Sequence, residues 1–116
     1  MSALIAERYF NYSNDSNMAA IKALLAENST YYSSYLGFFV GREDIIAMQT
    51  NFHLQYQTAR WDIITLREIN INVIEITFHF EGLLQNDQVE KRKSNEHILV
   101  KDGVIQHIAV GLPTLS

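Results

Sequence analysis

The stretch VIEITFHFE, residues 73–81, decides the fold class of this chain, because its side chains alternate regularly between apolar and polar. Ile74, Ile76, Phe78 and Phe80 fall on one side of an extended strand, and charged or polar residues fall on the other. Such alternation is typical of an antiparallel sheet with one covered face and one wet face. The sequence therefore predicts a strand here, with other elements packed on its apolar side.

The chain on both sides of this strand extends the sheet. Residues 61–68 alternate less regularly and predict the preceding strand. Gln85-Asn86-Asp87 predicts a turn into a long strand that ends near Val100. Lys101-Asp102-Gly103 then predicts a tight hairpin turn into a last strand over residues 104–110. The second half of the chain is thus predicted to be an antiparallel meander.

The first half of the chain is predicted to be mainly helical. Apolar residues at helical spacing in 4–12 and 18–25 predict two helices, the second capped by Asp15 or Ser16. Gly41 opens a third helix. Helices followed by a strand meander indicate an α+β fold. We expect one domain, residues 1–116, in which a curved antiparallel sheet wraps around three helices as a cone with an apolar hollow at one end.

Composition excludes several classes of function. The chain has no cysteine, so disulfides, thiolate metal sites and a cysteine nucleophile are excluded. A formal charge of −4 argues against nucleic-acid binding. No apolar run approaches the roughly 20 residues that span a bilayer, and the start lacks a basic leader followed by an apolar run. We expect a cytoplasmic protein with no membrane partner.

Five phrases, in this order and spacing, carry a resemblance to a known family. They are AAIKALLAENSTYY at 19–32, GREDI at 41–45, TARW at 58–61, ITFHFEG at 76–82 and NEHILVKDGVIQHI at 95–108. Together they resemble the SnoaL-like, ketosteroid-isomerase-like branch of the nuclear-transport-factor-2-like superfamily. The resemblance implies the cone fold and not one activity, because the superfamily includes isomerases, cyclases, dehydratases, ligand binders and interaction domains.

The resemblance also implies positions for catalytic groups. Ketosteroid isomerases use a carboxylate base and two hydrogen-bond donors, a tyrosine and a protonated aspartic acid. Tyr9, which follows an arginine, matches the tyrosine, and Glu96, which precedes a histidine, matches the acid with Glu in place of Asp. The base position falls on Tyr32 or Ser33, and neither is a carboxylate. True ketosteroid isomerisation is therefore not expected.

The residues themselves leave two roles open for each of these groups. Glu96 shares a strand face with Ile98 and Val100, so desolvation is expected to raise its pKa and keep it protonated as a donor. Alternatively, Glu96 is a structural acid bonded to Tyr9, Tyr12 or the backbone, and Tyr9 is a core tyrosine.

Histidine is the next candidate for a base. His53, near the end of the third helix, is the candidate general base at the rim of the pocket, or else it simply caps the helix end. We expect no metal site and no cofactor, because no third ligand accompanies any pair of histidines.

The apolar hollow suggests a ligand pocket. Its walls are predicted from the concave face of the sheet, the third helix and the aromatic segment 35–40, which either lines the mouth or plugs the hollow. Trp61 fits a core anchor better than a ligand contact. The predicted pocket residues are Tyr12, Tyr32, Phe38, Phe39, Phe52, Trp61, Ile76, Phe78, Phe80, Ile98 and Ile108.

Two classes of function follow. The first is a SnoaL-like pocket protein for a small hydrophobic or aromatic compound, with isomerase, cyclase or dehydratase chemistry if Tyr9 and Glu96 polarise a carbonyl. The second is a non-catalytic ligand-binding or dimeric interaction domain, whose hollow is filled by Phe38, Phe39 and Trp61. The sequence leaves open whether the protein is an enzyme.

A homodimer through the convex face of the sheet is also expected. The resemblance implies it, since related proteins commonly pair through this face. Strand alternation adds that Leu99, Ile105 and Ala109 face outward as an apolar patch that a second copy could cover.

Overall fold

The computed structural model describes residues 1–112; residues 113–116, which include Pro113, lie outside this description. Three helices and six strands follow one another along the chain. They are α1 (Ser2–Asn14), α2 (Met18–Leu24), β1 (Leu25–Ser33), β2 (Gly37–Val40), α3 (Arg42–Leu54), β3 (Tyr56–Asn70), β4 (Val73–Leu84), β5 (Val89–Lys101) and β6 (Val104–Val110). This is an α+β fold, as the order of sequence patterns predicts.

The six strands form one sheet in the order β2-β1-β6-β5-β4-β3. Four neighbouring pairs are antiparallel, but β1 pairs with β6 in parallel. The sheet is therefore mixed, whereas the sequence pattern predicted a purely antiparallel one. The parallel pair joins β1, from the first half of the chain, to β6, the last strand of the meander.

The helices cover one face of this sheet. α1 packs on β3, β4 and β5, and α3 packs on β1, β2 and β3. The alternating side of β4 provides the centre of the core, because Ile74, Ile76, Phe78 and Phe80 are all buried there. Burying side chains of this size contributes roughly 1.5–3 kcal/mol each. The opposite face carries the polar residues of the same strands.

Two local features differ from the sequence-based expectation. Asn17 caps α2 by accepting a hydrogen bond from the backbone N–H of Ala20 (3.1 Å), while Ser16 takes a left-handed turn with φ of 52°. Part of the aromatic segment forms β2, which pairs with β1 and so satisfies its backbone groups.

A β-bulge next to the last hairpin turn reverses the face on which the neighbouring side chain of β6 lies. Leu99 pairs with His107, but the next residue, Val100, pairs with Ile105, so Gln106 is the extra residue of β6. Ile105 therefore turns into the core and has no exposed surface. The prediction that Ile105 faces outward is wrong, since simple alternation does not allow for the bulge.

Candidate functional site

A small cavity lies between the helices and the inner face of the sheet, and its volume is about 60 Å³. α1, α3 and strands β1, β3, β4, β5 and β6 all contribute side chains to its wall. Exposed Tyr35 and Leu36 stand at its mouth. The other lining residues are Tyr9, Phe10, Ser13, Tyr31, Ser33, Met48, Gln49, Phe52, His53, Trp61, Phe78, Arg92, Glu96 and Val110.

Glu96 is the acid of this cavity. It lies on β5 between Ile76 of β4 and Val110 of β6, and only 5% of its surface is exposed. Within residues 1–112 no basic side chain forms an ion pair with it. Burial in this uncompensated setting raises the pKa of Glu96 to about 8. At neutral pH the carboxyl is mainly protonated and is able to donate a hydrogen bond.

Tyr9 supplies a second hydroxyl to the same cavity. It lies on the inner side of α1 and is 5% exposed. The Gln49 side-chain amide nitrogen donates a hydrogen bond to the Tyr9 hydroxyl oxygen at 2.7 Å. Burial raises the pKa of Tyr9, and the nearby charge of Glu96 raises it further. Tyr9 is therefore a neutral phenol, and its own proton is free to be donated.

Tyr31 completes the polar group at the cavity floor. Its pKa is also raised, first by burial and then by the charge of Glu96, while Arg92 acts in the opposite direction. Tyr9, Tyr31 and Glu96 line the same cavity, and the charge of Glu96 acts on the pKa values of both phenols. Such a cluster of neutral donors in an apolar cavity is suited to hold a carbonyl oxygen or an oxyanion.

His53 lies on the cavity wall at the end of α3. Its Nδ1 and the Ser16 hydroxyl oxygen are hydrogen-bonded at 2.9 Å. The ring packs on Trp61, with 5.2 Å between the ring centroids, and beside Phe52. Burial lowers the pKa of His53, so the imidazole is neutral near pH 7. A neutral imidazole is able to accept a proton.

Ser33 is one of the two positions at which the resemblance implied a base, and it is 2% exposed. Its hydroxyl oxygen accepts hydrogen bonds from the backbone N–H groups of Tyr35 (3.1 Å) and Leu36 (3.2 Å). Tyr32, the other position considered, points away from the cavity. Of these two residues, only Ser33 lines the cavity, and its hydroxyl stabilises the turn after β1.

The structure brings several predicted site residues to this cavity and leaves others outside it. Six predicted residues line it, namely Tyr9, Glu96, His53, Phe52, Trp61 and Phe78. Tyr32 and Phe38 do not: they pair on the outer face and are 38% and 60% exposed. Alternation puts the neighbouring pair, Tyr31 and Phe39, on the inner side, so the placement of Tyr32 and Phe38 in the pocket is wrong.

The remaining predicted pocket residues belong to the packed core or its edge. Phe39 packs edge-on against Tyr31, with 6.3 Å between the ring centroids. Tyr12 is partly buried against the core. The others are fully buried beneath the helices and do not reach the cavity, contrary to the prediction; they are Ile76, Phe80, Ile98 and Ile108.

Gln49, Arg92 and Tyr31 line the cavity but were not among the predicted residues. Gln49 had a detectable signal, because it follows Ile45 by one helical turn and so lies on the buried face of α3. Arg92 stands over the rings of Tyr35 and Phe80, at 4.8 Å and 4.6 Å from their centroids.

The part of the chain that the structure describes shows neither a metal site nor a membrane-spanning helix. Over residues 1–112 no group of three His, Cys, Asp or Glu side chains is arranged to hold a metal ion. None of the helices described there is long and apolar enough to cross a bilayer.

Sequence comparison gives no family assignment, since no protein-family model and no curated protein matches the chain. Solved structures do match it. A putative polyketide cyclase from Xanthomonas campestris pv. campestris aligns over 97% of this chain and 90% of its own, with a TM-score of 0.86 and 16% identity. A hypothetical protein from Catenulispora acidiphila DSM 44928, with a ketosteroid isomerase-like fold and in complex with trimethylamine, aligns over 97% and 86%, with a TM-score of 0.84 and 16% identity.

A third similar structure is TerC co-crystallised with polyporic acid, which aligns over 95% of this chain and 90% of its own, with a TM-score of 0.81 and 8% identity. At such identities the similarity shows the fold. The chain has the fold shared by ketosteroid isomerase-like, nuclear-transport-factor-2-like and polyketide cyclase proteins. The fold that the resemblance implied is confirmed.

Proposed function

We propose that this protein binds a small carbonyl compound, with Tyr9 and Glu96 as the hydrogen-bond donors to the carbonyl oxygen. The observation that carries the proposal is one cavity lined by both groups, each 5% exposed and each neutral at pH 7. Small molecules in the trimethylamine and polyporic acid complexes of similar folds support a pocket of this kind.

The size of the cavity limits what enters it. The volume of about 60 Å³ is several times the ~10–15 Å³ that one water molecule needs by the same measure. The floor therefore has room for a carbonyl group and the few atoms around it. The rest of the ligand, a flat apolar or aromatic part, lies toward the mouth against Trp61, Tyr35 and Leu36.

The catalytic form of the proposal assigns a base as well as donors. His53, neutral and on the same wall, takes a proton from the carbon next to the carbonyl, while Tyr9 and Glu96 stabilise the resulting enolate oxygen. Return of that proton to a different carbon gives an isomerisation. Expulsion of a leaving group or attack on a second carbonyl gives the dehydratase or cyclase reactions of the same class.

The second candidate is a non-catalytic binder of the same ligands. Ser33 favours it, because the resemblance places the base at Ser33 or Tyr32, neither is a carboxylate, and the Ser33 hydroxyl is engaged with two backbone N–H groups. The filled-pocket version receives less support. Phe38 points to solvent and Phe39 packs on Tyr31, so neither fills the cavity.

A thermal-shift titration with acetophenone tests the binding proposal. Ligand that binds only the folded state must raise the melting temperature. We expect Tyr9→Phe to lose most of this shift and Tyr12→Phe, its partly buried neighbour outside the cavity, to keep it. The affinity should also fall about tenfold per pH unit above pH ~8, as Glu96 ionises. Equal shifts in the two tyrosine variants would contradict the proposal.

We also propose that two copies pair through the convex face of the sheet. Tyr32, Phe38, Val40 and Leu99 all lie on strands β1, β2 and β5 and are between 38% and 60% exposed. They leave an apolar patch on the face opposite the helices. A two-fold pairing would cover each patch with the same patch of the partner.

A further inference from the structure

Gln49 is a polar side chain at a buried position of α3. It lies on the buried face of α3, one turn after Ile45, and is 6% exposed. An apolar residue of similar length would fill the same space without a buried amide. Gln49 is also one of the residues that line the cavity.

Only one end of the Gln49 amide is satisfied. Its nitrogen donates to the Tyr9 hydroxyl at 2.7 Å. Its oxygen is buried and has no hydrogen-bond partner in the described chain. Buried polar atoms in native proteins are nearly always paired, so an unpaired one at a binding site needs an explanation. A ligand that donates a hydrogen bond would supply the missing partner.

We propose that the Gln49 amide oxygen accepts a hydrogen bond from the ligand and makes the site selective for compounds that carry an N–H or O–H group beside the carbonyl. This inference rests on the carbonyl-binding function proposed above. Carboxamides, lactams and α-hydroxy ketones have this arrangement, whereas simple ketones and esters lack the donor.

The geometry requires the two groups of the ligand to be close together. The Tyr9 hydroxyl and the Gln49 amide are joined by a direct hydrogen bond, so their free sites for a ligand are adjacent. Tyr9 donates to the carbonyl oxygen, and Gln49 accepts from the neighbouring atom. A carboxamide head group is also small enough for the floor of a cavity of about 60 Å³.

Benzamide and acetophenone form a matched pair for the test, because an NH₂ group in one replaces a CH₃ group in the other. Calorimetric titration of the wild-type protein should give about tenfold tighter binding of benzamide, the size of effect expected for one added hydrogen bond. Gln49→Met, which keeps the length of the side chain, should bring the two affinities within about twofold. Asn51→Met, on the exposed side of the same helix, should keep the tenfold preference.

Each other outcome has a defined meaning. Equal affinities in the wild type, or a preference that survives in Gln49→Met, would overturn the inference while leaving carbonyl binding intact. If methyl benzoate, which has a second acceptor, is preferred over acetophenone through Gln49, the amide nitrogen faces the ligand and the inference is overturned. If none of the three compounds binds, the proposed function itself fails.

A measurement on the wild type makes the test independent of how the variant folds. In a ¹³C NMR titration, the side-chain carbonyl resonance of Gln49 should shift much more with benzamide than with acetophenone, because both compounds bind beside it but only benzamide bonds to its oxygen. A resonance that responds equally to both compounds would contradict a ligand hydrogen bond to the amide oxygen.

Discussion

Replacement of Glu96 by glutamine should remove a strong pH dependence from the stability of this protein. The carboxyl has a pKa of about 8 in the folded protein and an ordinary value of 4.5. Between these values the folded state holds a proton that the unfolded state has lost, so stability falls as the pH rises. The contribution is complete below pH 4.5 and lost at and above pH ~8. Glutamine has nearly the same shape and does not ionise.

The structure gives the expected magnitude. The gap between about 8 and 4.5 corresponds to about 5 kcal/mol, because each pKa unit is worth about 1.4 kcal/mol. At pH 7 roughly 3 kcal/mol of this has already been lost. The whole amount applies because the side chain is 5% exposed and is little screened by solvent. Such a loss is a large share of the total stability of an ordinary domain, about 5–15 kcal/mol.

Urea unfolding of both proteins at several pH values from about 4 to 9 measures the effect. The free energy of unfolding of Glu96→Gln, minus that of the wild type, should rise by about 5 kcal/mol across this range. His53 and His107 have pKa values lowered by burial, so they raise stability as the pH rises. They are present in both proteins, and their contribution cancels in the difference. If the difference in the free energy of unfolding between the two proteins stays constant with pH, the reasoning is refuted, and so is the role of Glu96 as a protonated donor.

Three further changes test other parts of the structure. Ser33→Asp, which places a carboxylate at the cavity, should isomerise a small β,γ-unsaturated ketone faster than the wild-type protein in an absorbance assay; no increase from a folded variant would show that Ser33 is not the base position. Leu99→Lys should convert a dimer to a monomer by light scattering, and an unchanged dimer mass would place the interface elsewhere. Gly82→Ala should cost about 1–3 kcal/mol in urea unfolding, because the new methyl group would lie 2.5 Å from the ring of Tyr56; an unchanged midpoint would mean that this ring moves freely.

The sequence predicted the elements of the fold better than their pairing. Alternation in β4 identified the inner face, and all four of its predicted apolar residues are buried. Local pattern does not report which distant strands join, so the parallel pairing of β1 with β6 was not foreseen. The bulge at Gln106 was not predicted for the same reason, because it too depends on how two strands pair. An extra residue changes the face of every side chain beyond it, and Ile105 was assigned to the wrong side.

The location of the polar candidates was easier to predict than the cavity wall. Tyr9 and Glu96 were located by the resemblance, which relates positions across a shared fold, and His53 by its place near the end of the third helix; all three line the cavity. The wall depends on which apolar side chains α1 leaves uncovered. Phe10 of α1 packs against Phe78 with 5.5 Å between the ring centroids, and the helix covers much of the sheet below. The alternation of residues along a strand does not show which of its side chains a helix covers.

Gln49 shows which sequence signal could help to predict a cavity wall. Gln49 lies one helical turn after Ile45 on the buried face of α3, where a polar side chain adds nothing to an apolar pattern. Burying an amide with one unpaired end lowers stability by about 1–3 kcal/mol, and an apolar side chain would avoid that cost. A polar residue at a position that favours an apolar one therefore indicates a ligand more strongly than any apolar residue of the wall does. In a pocket whose fold serves many functions, such interruptions of a buried stripe are the residues to examine first.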